Sequence, residues 1–188
     1  MKQLMTYWGG QLNQKHVLEE YPRPLMQRNS YVNLNGLWDY AFTPDKSKDL
    51  SAIGWEGRIL VPFSPEAYLS GVNRQLKPGE YLWYRRDLPV PSDFEKGKRL
   101  LVHFGAVDQQ CEIYVNQKSV MTHSGGYLPF EADVTEVLMP AGENELIVCV
   151  RDDSDTSYYS RGKQMLKSGG MFYTAQSGIW QTVWMECV

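Results

Sequence analysis

Apolar residues in this chain recur at every second position and rarely at helical spacing. Leu100, Val102 and Phe104 alternate with Leu101 and His103, and Cys111, Ile113 and Val115 alternate with Glu112 and Tyr114. Side chains on an extended strand point to its two faces in turn, so such runs suit half-buried strands. In the run Leu146, Val148, Val150 the intervening Ile147 and Cys149 are apolar as well, which predicts a strand covered on both faces. The last run, Ile179 to Val188, puts Trp180, Thr182 and Trp184 on one side. Val, Ile, Tyr, Trp and Phe dominate these runs, as suits a pleated surface.

Turn-forming residues separate the runs. Pro78-Gly79, Pro91-Ser92-Asp93, Gly125-Gly126, Pro140-Ala141-Gly142-Glu143 and Gly169-Gly170 each supply a fixed or a permissive backbone. Eight or nine strands are expected, near 36–43, 57–62, 81–89, 98–105, 110–116, 118–124, 128–132, 144–151 and 179–187. Helix is scarce: a short one over 11–20 and a single turn at Thr135–Leu138. Many short strands with few helices predict an all-β sandwich or barrel. The 188 residues are 43% hydrophobic, which is enough for one core and argues against disorder.

The charge of -3 carries no run of Lys or Arg, so no nucleic-acid partner is expected. Apolar stretches reach about five residues, far short of the roughly 20 a membrane helix needs, so no membrane partner is expected either. No apolar stretch of signal-peptide length follows Lys2. The cysteines, Cys111, Cys149 and Cys187, are odd in number and form no CxxC, so they read as reduced core thiols. A cytoplasmic location is the expectation.

Catalytic signatures are missing. His16, His103 and His123 lack metal-ligand spacing, so no metal is expected and His103 reads as structural. There is no GxSxG, and the glycine pairs match no phosphate loop, so no cofactor is expected. The notable stretch is 152–178, the longest without strand signal, since loops of that length tend to be functional. Asp152, Asp153 and Asp155 enter it from a strand end, as carboxylates for calcium, for sugar hydroxyls, or simply for water. Arg161, Lys163 and Gln164 follow, with Tyr158, Tyr159 and Tyr173. Tyrosine rings cover apolar sugar faces and amides pair with hydroxyls, so carbohydrate is the natural ligand class. Trp38, Trp83, Trp180 and Trp184 are read mainly as packing.

Several segments together resemble glycoside hydrolase family 2, the β-galactosidases, β-glucuronidases and β-mannosidases. They are Tyr21-Pro22-Arg23-Pro24, Arg28, Leu34-Asn35-Gly36-Leu37-Trp38, Ile59-Leu60-Val61-Pro62-Phe63 and Tyr84-Arg85-Arg86. Phe104-Gly105-Ala106-Val107-Asp108, Tyr114-Val115-Asn116, Gly125-Gly126-Tyr127-Leu128-Pro129-Phe130 and Ser177-Gly178-Ile179-Trp180 follow in the family's order. So do Asp133-Val134-Thr135, Gly142-Glu143-Asn144 and Val150-Arg151-Asp152. The resemblance runs from about Tyr21 to Val188.

It implies the family's N-terminal sugar-binding domain, a jelly-roll β-sandwich over residues 1–188 with 1–20 as an N-terminal extension. It also implies retaining hydrolysis by two glutamates about 5 Å apart, carried in this family by a later barrel. A barrel of that kind needs about 250 residues, so this chain should hold no catalytic residue and be inactive alone. Partners would be carbohydrate and the downstream domains, with room for homo-oligomerisation through the parent. Activity is expected to be β-galactosidase-like. Yet Phe172 stands where some β-galactosidases place a sugar-contacting aspartate, and the loop around Gln75-Leu76-Lys77-Pro78 differs where some carry an Asn. In Asn116-Gln117, Gln replaces the usual Gly, so a clean type I′ turn is not expected. A flat apolar patch on one sheet is expected where further domains dock. The alternative is a stand-alone carbohydrate-binding module, and a structural spacer is the third reading.

Overall fold

The computed structural model describes residues 4–28, 30–90, 94, 98–139 and 142–188. The turns expected at Pro91-Ser92-Asp93 and at Pro140-Ala141 lie outside the described residues. The chain forms a jelly-roll β-sandwich. Its strands are β1 (Val32–Asn33), β2 (Gly36–Thr43), β3 (Gly57–Val61), β4 (Tyr81–Asp87), β5 (Leu100–Phe104), β6 (Val107–Asp108) and β7 (Gln110–Val115). There follow β8 (Lys118–Ser124), β9 (Phe130–Asp133), β10 (Glu145–Arg151), β11 (Gln164–Met165), β12 (Tyr173–Thr174), β13 (Gly178–Ile179) and β14 (Val183–Cys187). The larger sheet runs β3-β2-β4-β10-β7-β8 and the smaller β1-β14-β5-β9; β11-β12 and β13-β6 are two-stranded.

The alternation seen in the sequence is the alternation of burial. In β7, Cys111, Ile113 and Val115 point inward, whereas Gln110, Glu112 and Tyr114 do not. Between the sheets, Trp38, Tyr84, Phe104, Leu82, Ile113 and Val148 form the main core. Strand β10 is buried on both faces, as its doubly apolar pattern predicts. Its Ile147 and Cys149 join Ala41, Ile53 and Trp83 in a second cluster. Burial pushes the thiols of Cys111 and Cys149 up to about 12, so they stay protonated.

Strand β5 is buried on both faces too, which its His103 does not suggest. The reason is a strap. Residues 21–28 cross the outer face of the smaller sheet and are tied to Glu186, whose side chain is only 1% exposed. Tyr21 Oη donates to Glu186 Oε2 at 3.1 Å, Arg23 Nη1 to Oε1 at 3.1 Å, and Arg28 Nε reaches Oε2 at 2.9 Å. His103 Nε2 lies 2.9 Å from Oε1, and its ring stacks on Trp184 at 4.8 Å. A buried carboxylate requires such partners.

Four expectations need correction. Residues 11–20 form turns, and the only α-helix among the described residues is the short Tyr7–Gly10. The carbonyls of Val17 and Leu18 are taken by the side-chain amides of Asn33 and Asn35, and Leu18 sits at a φ of 46°. A residue at positive φ cannot continue a right-handed helix, and the two carbonyls hold this segment to Asn33 and Asn35 instead. The last run is two strands: β13 pairs with β6, the chain crosses at Trp180–Thr182, and β14 pairs with β5. The Asn116-Gln117 turn has both residues at positive φ, 50° and 66°, as a type I′ turn requires. Asn116 Nδ2 donates to Val137 O and to Asn144 Oδ1, each at 2.8 Å, which holds the turn despite the missing glycine. Finally, the large exposed apolar side chains lie outside the strands, apart from Leu37 and Tyr173, so no strand face carries a flat apolar patch among the described residues.

Candidate functional site at the loop end of the sandwich

One end of the sandwich gathers the long loop 152–178, the 62–80 loop, and the Asp108 and Gly126-Tyr127 corners. Register explains the meeting. Arg151 at the end of β10 pairs with Gln110 at the start of β7, so Asp152 and Asp108 leave neighbouring strands side by side. Strand β6 pairs with β13, which brings Ser177 and Gly178 to the same corner.

Asp108 is buried, and its Oδ1 has no hydrogen-bond partner. Its carboxyl lies where a Cβ on Gly126 would stand, 2.2 Å from Oδ1, so only glycine fits at 126. Burial and then the charge of Asp152 hold the Asp108 carboxyl up at about 7, with Gln164 hydrogen bonding opposing and Glu66 adding to the rise. Asp152 is raised by its own burial and is also a buried residue. Glu66 is raised by burial too, against the hydrogen bonds it accepts. Three carboxyls with raised pKa values thus converge at one corner, a concentration more usual of functional sites than of surfaces.

The aspartates singled out in the sequence are engaged in holding the loop. Asp152 Oδ1 accepts the amide of Ser154 at 2.7 Å, which sets the left-handed residue Ser154. Asp153 Oδ1 accepts Gly79 N–H at 2.9 Å, and its Oδ2 takes Arg151 Nε at 3.0 Å. Asp155 Oδ1 accepts Leu166 N–H at 2.9 Å.

The structure does bring the other four residues together. Tyr173 N–H donates to Lys163 O at 3.1 Å, and Lys163 N–H donates to Tyr173 Oη at 3.3 Å. Gln164 is buried and its Oε1 accepts Gln176 N–H at 2.5 Å. Arg161 has a buried Nε without a partner. Around them stand exposed Tyr127, Leu128, Tyr158, Met171 and Phe172. Tyr158 stacks on Tyr159, and Tyr127 meets Trp180 edge to face at 6.4 Å. An exposed aromatic rim over buried, polarised carboxyls can bind a ligand with alternating apolar faces and hydroxyls.

The aromatic rings on the smaller sheet are already engaged with one another. A hollow of 410 Å³ on the smaller sheet is lined by Arg23, His103, Glu131 and Trp184. There His103 and Arg23 approach the Trp184 ring, and Phe130 lies between Phe104 and His123. Trp38, Trp83 and Trp184 are buried, which fits the packing role read for them. Among the described residues no three His, Cys, Asp or Glu side chains form a metal-binding group, and no helix is long and apolar enough to cross a membrane.

Sequence reasoning did not single out Glu66, Asp108 or Tyr127 as site residues. Asp108 and Tyr127 sit inside segments that carry the family resemblance. Glu66 had one usable signal, a lone carboxylate in the otherwise uncharged stretch 59–73.

Comparison with known proteins bears on this end of the fold. The family model described as glycosyl hydrolases family 2, sugar binding domain, matches residues 72–185. A β-galactosidase of Thermoanaerobacter pseudethanolicus is 30% identical over 158 residues, 81% of this chain and 20% of that protein. A β-glucuronidase of Paenibacillus borealis is 26% identical over 70% of this chain and 22% of its own length. The solved β-glucuronidase of Bifidobacterium dentium, complexed with coumarin-3-O-glucuronide, superposes over 87% of this chain and 30% of its own, with a TM-score of 0.62 at 22% identity. That last likeness concerns the fold. This chain therefore spans about one fifth of the curated relatives named here.

Proposed function

The chain belongs to glycosyl hydrolase family 2 through its sugar-binding domain, and from that premise we propose that it is the N-terminal domain of a retaining β-glycosidase. In this reading the loop end forms one wall of the substrate pocket. Arg161, Lys163, Gln164 and Tyr173 face the sugar or its leaving group, and the catalytic glutamates belong to other parts of the polypeptide. The observation that carries it is the gathering of an exposed aromatic rim and buried carboxyls where loops 62–80 and 152–178 meet the Asp108 and Tyr127 corners. A terminal β-galactoside is the proposed substrate, a reading supported by the 30% identical β-galactosidase. A reducing, cytoplasmic compartment belongs to the same reading, on the odd cysteine count.

The test compares two chromogenic substrates, an aryl β-galactoside and an aryl β-glucuronide. Both are offered to the full-length polypeptide that carries this chain and to residues 1–188 alone. Turnover of the galactoside by the full-length protein, with none by the isolated chain, is the expected result. Preference for the glucuronide keeps the glycosidase and replaces the sugar. Turnover by neither, with sugar binding by the isolated chain, moves the protein to the stand-alone module. In the full-length enzyme, replacing Arg161 and Tyr173 together by Ala should lower kcat/KM by about tenfold or more without loss of folding.

A further inference from the structure

Two loops form the site end, and one side chain reaches both. Glu66 Oε1 accepts the amide of Leu76 at 3.1 Å and the hydroxyl of Ser177 at 2.7 Å. Its Oε2 accepts the amide of Ser177 at 3.1 Å. Both oxygens are therefore used as acceptors, and one donor, Ser177, lies 111 residues from Glu66 in sequence while the other, Leu76, lies 10 away. The neighbouring Ser64 repeats the pattern: its Oγ donates to Gln176 Oε1 at 2.6 Å. Gln176 is in turn held through its own amide by Gln164. Ser64 and Glu66 thus grip consecutive residues, Gln176 and Ser177, while Glu66 also fixes the strand-less stretch around Leu76.

From this geometry we infer that Glu66 is a positioning residue that locks the 62–80 and 164–178 loops into a single rigid wall. The inference rests on the pocket reading for its consequence, but not for its structural content. Leu76 adjoins Gln75 and Lys77 on one loop, and Ser177 follows Tyr173 by four residues on the other. Freeing either anchor would let both walls shift. A misplacement of about 1 Å can cost on the order of a hundredfold in rate even from a remote residue.

The carboxylate is specifically required. Glutamine has the same length, but it replaces one acceptor oxygen by an amide donor, which must then face an N–H or O–H of Leu76 or Ser177. Aspartate is too short by a methylene. Hydrogen bonds to a charged group are worth about 1.5–3 kcal/mol, so losing them should raise local opening by roughly ten- to a hundredfold.

The experiment uses the full-length polypeptide with Glu66→Gln and, as a milder variant, Ser177→Ala. Amide hydrogen exchange is followed at Leu76, Ser177 and Gln176, with Val102 and Val148 as core references, alongside kcat/KM. For Glu66→Gln, exchange should rise about tenfold or more in both loops with the core amides unchanged. Turnover should fall while the fold persists. Ser177→Ala removes one donor and should loosen Leu76 and Ser177 less, and it carries the same readout if Glu66→Gln does not fold. Exchange unchanged in either loop overturns the lock. Exchange raised in both loops with kcat/KM unchanged upholds the lock and instead overturns the pocket reading.

Discussion

The hydroxyl of Tyr84 lies 2.0 Å from the point where a Cβ on Gly178 would stand, and it accepts the amide of Ile179 at 3.2 Å. Tyr84 is fully buried, so its ring has nowhere to retreat. Gly178 also holds a φ of +74°, where a side chain is strained. Gly178→Ala should therefore cost about 3 kcal/mol or more. Tyr84→Phe alone should cost about 1–2 kcal/mol through the lost hydrogen bond. In the double variant the 2.0 Å contact is gone, leaving the ring Cζ at position 84 and Leu82 Cδ2 at 3.1 Å, so denaturant midpoints should reveal a favourable coupling. Strict additivity would refute the steric account.

The raised Asp108 carboxyl sets a direction for stability against pH. Its folded value of about 7 exceeds the roughly 4 of an unfolded aspartate, so the folded state binds the proton more tightly. The stability it contributes is complete below about pH 4 and is lost as pH rises through about 7. Asp152 and Glu66, both raised, act in the same sense. Urea midpoints at about pH 5 and pH 8 should fall with rising pH in the native protein, and Asp108→Asn should flatten that fall. An equal fall in the variant would remove Asp108 as the cause.

Glu186 offers a sharper loss. It is buried, and three side chains of the 21–28 strap converge on it. Glu186→Ala leaves Arg23, Arg28 and His103 facing an empty position and should cost about 3–5 kcal/mol. The strap should also come free of the sheet, so protease cleavage within residues 21–28 should accelerate before the core is attacked. Cleavage at the native rate would show that other contacts hold the strap.

Gln117 pays a backbone penalty at a φ of 66°. Gln117→Gly should raise stability by about 1 kcal/mol, because a left-handed conformation costs a side-chain residue about that much. A thermal midpoint that falls would mean the Gln side chain contributes more than its backbone costs.

Much of the sandwich was legible because its strands have one buried face, and burial writes a two-residue period into the sequence. Strand β7, whose burial alternates residue by residue, lies at its expected position for that reason. Pairs such as β11-β12 were not legible, since two residues carry no period. The split between β13 and β14 was hidden because Trp180 and Thr182 continue the alternation while the chain changes partners. At the site, the long loop and its residue types could be picked out, but the grip of Glu66 on Ser177 could not. Hydrogen bonds across such separations leave no local pattern. The same holds for Asp152, whose type suggests a ligand and whose geometry shapes Ser154.

The position of β14 has a consequence for synthesis. It is an inner strand of the smaller sheet, flanked by β1 on one side and β5 on the other. A chain leaving the ribosome from its N-terminus makes β1 early and must hold it unpaired until residues 183–187 emerge. The strap waits as well, because its anchor, Glu186, belongs to that same late strand. The larger sheet can assemble once β10 is made, whereas the smaller one closes in a single late step. A nascent chain stalled before β14 would therefore expose a half-covered core, a ready target for chaperones.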